Sequence, residues 1–431
     1  MRIVLFCHSL LSDWNHGAAH FLRGVVSDLL DRWHNVTIYE PHDAWSLKTL
    51  HAGGGEGSLP RFHEICPKLK SNRYRLEQLD LDEALDGVDL VIAHKWNGQE
   101  LIRRIGEHRA RTRNYRLLFH DTHHRSGNEV NGVAAYDLSN YDGALVFGEM
   151  IRDRYLSRGW TERAWVWREA ADMRIFYPRT MSVGAESGKC DGRETGIKEA
   201  SGKNSPHQPI APASVPAIRF SALPALSATN FRGDLVLVGN WADDQRAETL
   251  REFLIEPVRQ SNLKTRVHGA CFPEQARRML ARAGIEFAGW APQRHMPQLF
   301  ANFKFTVHIP RPCSSADLQG VPSMRMFEAL ACGIPLVSAP WDDAENLFTL
   351  NKDYLAPRDG EEMKRSLSAL LADEDMRNEL SEQGLRTILN RHTCTHRVNE
   401  LLKICAELQV NSLDPLAEIG RGHRVAAGGR R

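Results

Sequence analysis

The chain has 431 residues, 42% of them hydrophobic and 25% charged, with a formal net charge of +1. Such a chain has core enough for two or three soluble domains, and its charge gives no electrostatic case for nucleic acid. The eight cysteines are scattered without CxxC pairs, which argues against a disulfide framework or a zinc site. The opening Met1-Arg-Ile-Val-Leu-Phe-Cys7 is too short and too soon interrupted for a signal peptide. No transmembrane run of roughly 18 apolar residues occurs, and the chain reads as cytoplasmic.

Residues 3–7 form an apolar run of the kind that makes a central parallel strand. A polar loop over 12–20, containing Gly17, leads into an amphipathic helix over 21–33, whose apolar face carries Phe21, Leu22, Val25, Val26, Leu29 and Leu30. Residues 36–39 supply the next strand. This is a βαβ start with a glycine loop at the strand's C-terminal edge, where α/β proteins bind ligands. The loop lacks the G-x-G-x-x-G spacing, which disfavours nicotinamide chemistry. Residues 42–75 are polar and glycine-rich and read as an excursion. Strands follow at 89–93, 115–119, 141–147 and 164–167, with a helix at 100–108, so the first part reads as a doubly wound sheet.

The strand at 115–119 ends in His120-Asp121-Thr122-His123-His124, the densest polar constellation in the chain. Three readings apply. The imidazoles are solvated loop residues; or they hold zinc, which needs three or four ligands and finds no cysteine partner here; or they act on a substrate as acid, base or hydrogen-bond donor. His120 is the first choice for that last role, with Asp121 as its neighbour and His123 as the runner-up.

From 179 to 232 the sequence turns rich in Ser, Ala, Gly, Pro and Lys, with little apolar periodicity, and reads as a flexible insertion between domains. Residues 234–240 then run as a strand into a glycine turn, and 241–259 read as helix with Arg246 in its first turns. The planar fork of Arg246 suits phosphate, the alternative being a surface pair with Asp243 or Glu248. Short strands are expected at 265–268 and 286–290, the latter holding Gly289 and Trp290, then a helix at 295–301 and a strand at 304–309.

Next comes the most informative unit, residues 318–338. Gly320 gives a permissive turn, and Pro322 suits a first helical position. Residues 323–331 carry Phe327, Leu330 and Ala331 on one helical face; Gly333 is a C′ residue, and 336–338 is the next strand. A helix opening across Gly320, Val321, Ser323 and Met324 presents free N–H groups and a positive dipole end, a natural phosphate site. Glu328, two turns in, can reach hydroxyls of the same ligand; otherwise it pairs with Arg325 on an exposed surface, worth a few tenths of ~1 kcal/mol. Residues 360–409 read as helices, the last of them over 397–408, and 411–431 as a disordered Gly/Arg-rich tail.

The segment Gly320-Val-Pro…Phe327-Glu-Ala-Leu-Ala-Cys-Gly-Ile-Pro-Leu-Val337 resembles the nucleotide-sugar motif of GT-B glycosyltransferases, closest to family 4 (glycosyl transferases group 1) and the CgeB-like spore-protein branch. The resemblance implies two Rossmann-like doubly wound domains facing a cleft. These would be an acceptor-side domain over 1–178 and a nucleotide-sugar domain over 233–410, with the final helix returning to the first. It implies that Glu328 binds the donor ribose, that Arg246 contacts the diphosphate, and that Gly289-Trp290 is the base-binding turn. Gly17 and His120 or His123 would lie on the acceptor and donor-sugar side. Asp172, Phe176 and Pro178 fit the segment where such enzymes leave the first domain. Gly320 stands where family 4 carries a second glutamate on the sugar side. The implied activity is metal-independent, retaining glycosyl transfer from a nucleotide-diphosphate sugar to a glycan, lipid-linked or small-molecule acceptor, with no cofactor beyond that co-substrate. The alternatives are a sugar-nucleotide epimerase or hydrolase on the same scaffold, or a non-catalytic nucleotide-sugar-binding protein.

Overall fold

Apolar runs buried on both faces are what a parallel sheet requires, and the chain builds two such sheets. A computed structural model describes residues 1–10, 17–44, 46, 48, 68–122, 133–179, 231–241, 244–310 and 322–410. Most of the first glycine loop, His123, Gly320, Val321, nearly all of the 179–232 insertion and the tail lie outside the described residues.

The first sheet takes β1 (Arg2–Phe6), β2 (Asn35–Pro41), β3 (Ser71–Tyr74), β4 (Leu90–His94), β5 (Arg116–Asp121), β6 (Gly143–Val146) and β7 (Ala164–Val166). Their order is β3-β2-β1-β4-β5-β6-β7, every pairing parallel. The second takes β8 (Gly233–Val238), β9 (Thr265–His268), β10 (Glu286–Phe287), β11 (Phe303–His308) and β12 (Leu336–Ser338) in the parallel order β10-β9-β8-β11-β12. Strand order reverses between β1 and β4 and again between β8 and β11. Each reversal opens a crevice at the strands' C-terminal ends, where ligands of open α/β sheets bind.

Among the described residues the sheets are covered by α1 (Gly17–Asp31), α2 (Gln99–Thr112), α3 (Glu149–Ser157), α4 (Asp244–Leu250, continuing to Ser261), α5 (Glu274–Arg282), α6 (Met296–Ala301), α7 (Met324–Ala331), α8 (Gly360–Ala372), α9 (Glu374–Arg391) and α10 (Cys394–Glu407). A single turn at Leu81–Ala84 is left unlabelled. On one face of the first sheet, Leu22, Val25 and Leu29 of α1 share a core with Val398, Leu401 and Cys405 of α10. Gly24 permits that approach, because a Cβ there would sit 2.4 Å from Cys394 Sγ. The final helix therefore docks on the first sheet. It begins before residue 397 because Thr393 caps it in a reciprocal box with His396. Trp167 Nε1–H donates to the Arg397 carbonyl at 2.8 Å and ties the same seam.

Phe176, in the segment leaving the first sheet, packs with Val236, Phe327 and Leu330 of the second. Each such buried side chain contributes about 1.5–3 kcal/mol of transfer free energy. Two expectations change. The polar stretch ending at residue 75 closes with β3, an edge strand whose side chains are at most half-buried and so carry no apolar signal. The helix expected over 241–259 starts at Asp244 and widens into a π turn at Arg251–Ile255. Pro257, two positions beyond, has no N–H to give the preceding turn, which breaks the regular ladder.

Candidate functional site

The crevice of the second sheet is lined by the turns after β8, β9 and β10 and by the start of α7. Gly239 follows β8, and a Cβ there would lie 3.1 Å from an Arg246 Nη, so the missing side chain gives the buried guanidinium its place. Gly269 follows β9 so closely against it that a Cβ would meet the Gly239 carbonyl oxygen at 1.8 Å. Gly289, at φ +70°, takes a left-handed turn beyond the short β10, and its carbonyl accepts from Gly269 N–H at 3.0 Å. Trp290 stands half-buried beside it. Arg246, Gly289 and Trp290 thus gather at one edge of one sheet.

Ser323 is the N-cap of α7, with Pro322 before it rather than at the first helical position. Its hydroxyl does not cap the helix. It lies 2.9 Å from Nε2 of His308, the residue that ends β11, while Ser338 Oγ lies 2.9 Å from Nδ1 of the same ring. Ser338 donates to the Ala339 carbonyl, which leaves its oxygen to accept from Nδ1–H. Nε2 is then the acceptor for Ser323 O–H, and the chain of bonds fixes one tautomer. Burial, with the charge of Arg246 behind it, pushes the His308 imidazole down to about 3 and keeps it neutral. Met326 N–H bonds the Ser323 carbonyl, and the N–H groups of Met324 and Arg325 have no partner among the described residues. The sequence reading passed over His308, whose one signal was a polar residue closing an apolar strand.

Glu328 is fully buried, which corrects the expectation of an exposed helix surface. Arg325 does pair with one of its oxygens, as the simple i, i+3 reading has it. The other lies 2.6 Å from Nδ1 of His20, on α1 of the first sheet. Burial would raise the Glu328 carboxyl; Arg325 and then His20 outweigh it and hold it below the usual range. Burial keeps His20 below its ordinary value despite the carboxylate. The contact is therefore a neutral N–H donating to a carboxylate. Glu169, just past β7, is also buried, and its Oε1 has no hydrogen-bond partner among the described residues. Burial, then the charge of Glu328, raises it to about 8. His20 and Glu169 carried no spacing signal in the sequence.

The two sheets meet elsewhere too. Arg23 of α1 donates to the Leu10 carbonyl and to Gln293. Glu345, in the loop after β12, pairs with Arg168 and accepts from Glu149 N–H at the start of α3. Glu345 thereby joins the two sheets.

His120 and Asp121 do not act together. Successive strand residues face opposite ways. His120 sits with no exposure against Trp167 and His94, ring centroids 4.8 and 5.0 Å away, so the solvated-loop reading fails for His120. Asp121 points to the far face, taking Lys95 Nζ at 3.1 Å and Tyr155 O–H at 2.8 Å. No group of three or more metal-ligating side chains occurs among the described residues. Nor is any described helix long and apolar enough to cross a membrane.

Residues 246–403 match the family model described as glycosyl transferase-like. No curated protein matches the sequence. Among solved structures, HepE of Anabaena in complex with UDP-glucose is similar at TM-score 0.59 and 16% identity, covering 94% of this chain and all (100%) of that one. Sucrose-phosphate synthase of Thermosynechococcus elongatus is similar at TM-score 0.57 and 14% identity, covering 96% and 100%. An α-glucosyltransferase in complex with UDP and a 13-mer DNA gives TM-score 0.61 and 11% identity, covering 94% and 99%. With its two parallel sheets the chain has the GT-B fold of these structures, and its residues 246–403 are similar to the glycosyl transferase-like family.

Proposed function

We propose that the chain transfers a sugar from a nucleotide-diphosphate sugar, with UDP-sugars the first donors to test because similar structures hold UDP or UDP-glucose. The observation that carries this reading is an ionised, buried carboxylate, Glu328, on the helix whose N-terminal turn opens beside Arg246 at the switch point of the second sheet. Glu328 accepts from the ribose hydroxyls. The departing diphosphate is met by the N–H groups at the start of α7 and by Arg246, donors already in place when charge develops on the leaving oxygen. These groups supply the positive potential without a metal. Gly289 and Trp290 flank the base. The acceptor sits on the first-domain side, near Gly17 and the wall that contains His120, and is reached when the domains part. Transfer with retention is the outcome the family resemblance implies.

A thermal-shift series with UDP, GDP, ADP and their sugars tests the donor, since a ligand at about 100 times its Kd stabilises by about 2.7 kcal/mol. The preferred nucleotide sugar should then release its diphosphate faster when acceptor glycans or lipids are added, and the anomer of the product reads the stereochemistry. Full turnover in water alone supports the epimerase or hydrolase alternative, and binding without turnover the non-catalytic one. If no nucleotide shifts the melting curve, the donor site is misassigned.

A further inference from the structure

Among the described residues, two side chains hold Glu328: Arg325 from its own helix and His20 from the opposite sheet's first helix. We propose that His20 is a positioning residue for this carboxylate, fixing it for the ribose diol only when the two domains are together. The inference rests on the reading of Glu328 as the ribose acceptor. His20 is 3% exposed and puts Nδ1 at 2.6 Å from Glu328 Oε1. A neutral imidazole has one N–H, so with Nδ1 donating, Nε2 is a bare acceptor. That Nε2 is buried and has no hydrogen-bond partner among the described residues. Burying an unmatched acceptor is unfavourable, and an apolar side chain would pack here without that cost. The one polar contact that accounts for an imidazole at this position is the one to Glu328.

By lone-pair count the carboxylate keeps acceptor capacity beyond these two partners. Two carboxylate oxygens offer about four lone-pair sites. His20 and Arg325 take one on each oxygen, which leaves one on each for two vicinal hydroxyls. Arg325 travels with Glu328 on α7, whereas His20 arrives on α1, which contacts α7 across the cleft. Separation of the domains frees one oxygen to rotate away from the pose that matches a cis-diol. Closure restores it, so binding of the nucleotide and closure favour each other by linkage.

The test compares His20→Ala, His20→Asn and His20→Gln in the full chain, with Kd measured calorimetrically for UDP and its 2′- and 3′-deoxy forms. An asparagine amide nitrogen stands where Nδ1 stood, and a glutamine's where Nε2 stood. His20→Ala should weaken UDP about tenfold, the scale of a hydrogen bond to a charged group. It should weaken markedly less whichever deoxy analogue the parent already discriminates against. Asn should restore UDP binding to within about threefold of the parent, and Gln should not. In turnover the Ala variant should raise KM more than it lowers kcat, since the contact acts on bound donor in ground and transition state alike. Unchanged UDP affinity in the Ala variant, or an Asn variant as weak as Ala, overturns the proposal. So does an equal loss for UDP and its deoxy forms when the parent tells them apart. A parent that binds all three equally overturns it too, and with it the ribose reading; in the previous cases that reading stands.

Discussion

Glu328→Gln removes one charge from a carboxylate with no exposed surface and two fixed partners. The amide has one acceptor oxygen and one NH2. If the oxygen turns to His20, the NH2 faces the Arg325 guanidinium; if it turns to Arg325, the NH2 faces His20 Nδ1–H. Either way one donor meets another. Breaking a buried pair outright costs about 3–5 kcal/mol because a charge is left uncompensated. Arg325 is 29% exposed along its side chain and can regain some water, so the loss should be smaller. About 1–3 kcal/mol, the cost of one unsatisfied buried partner, is the expected destabilisation, seen as a lower urea midpoint at unchanged slope. The surface reading of the sequence gives at most about 0.5 kcal/mol. Affinity for UDP should fall roughly ten- to a hundredfold in the same variant, since a hydrogen bond to a charged group contributes about 1.5–3 kcal/mol. Calorimetric titration of UDP into parent and variant, well below both melting temperatures, separates the two effects. A destabilised protein with parental UDP affinity would make Glu328 an inter-domain tie and no more, and the donor site would have to lie elsewhere.

Two further perturbations address neighbouring groups. Glu169 titrates at about 8 when folded against an ordinary 4.5, so between those values the unfolded chain gives up a proton that the folded chain keeps. Its contribution to stability is full below pH 4.5 and declines as pH rises, by about 1.4 kcal/mol per unit until about pH 8. Glu169→Gln carries no such proton, so the variant should gain on the parent steadily from pH 5 to 8 in urea titrations; a flat difference would place the carboxyl in a more polar setting than its burial indicates. Glu345→Ala removes both the Arg168 pair and the acceptor for Glu149 N–H at the start of α3. An expected loss of about 0.5–2 kcal/mol, typical of a helix N-terminal acceptor, should accompany faster limited proteolysis between the domains without UDP and little change with it. Equal proteolysis in both proteins would show that Glu345 does not hold the sheets together.

The fold was legible because its signals are local. The apolar runs at 3–7, 89–93, 115–119 and 304–309 became strands within one or two residues of their expected ends. The strand 336–338 fell where the glycine and proline before it require, with Gly333 at φ +66°. Those runs are buried on both faces and need no partner to be recognised. Where an element lies at an edge, as β3 does, burial is partial and the sequence stays polar. The π turn in α4 likewise depends on a single proline whose effect on the preceding turn no apolar period records.

The site divides along the same line. Arg246, Gly289 and Glu328 follow strands or open helices within a few residues of a recognisable turn, so their shared edge can be derived from chain order. His20 and Glu328 are 308 residues apart, and nothing local at either position announces the other. The sequence puts His20 in the polar loop over 12–20, whereas α1 begins at Gly17 and buries it. His120 and Asp121 fail for the reverse reason: adjacency in sequence suggests a pair, while strand geometry sends them to opposite faces of the sheet. What chain order cannot supply is which groups the second domain brings to the first. In this protein the polar cross-domain groups include His20 on Glu328, Arg23 on Gln293, and Glu345 on Arg168 and Glu149 N–H. Polar contacts of that kind are selective about geometry, which suits the opening and closing that the proposed function asks of the cleft.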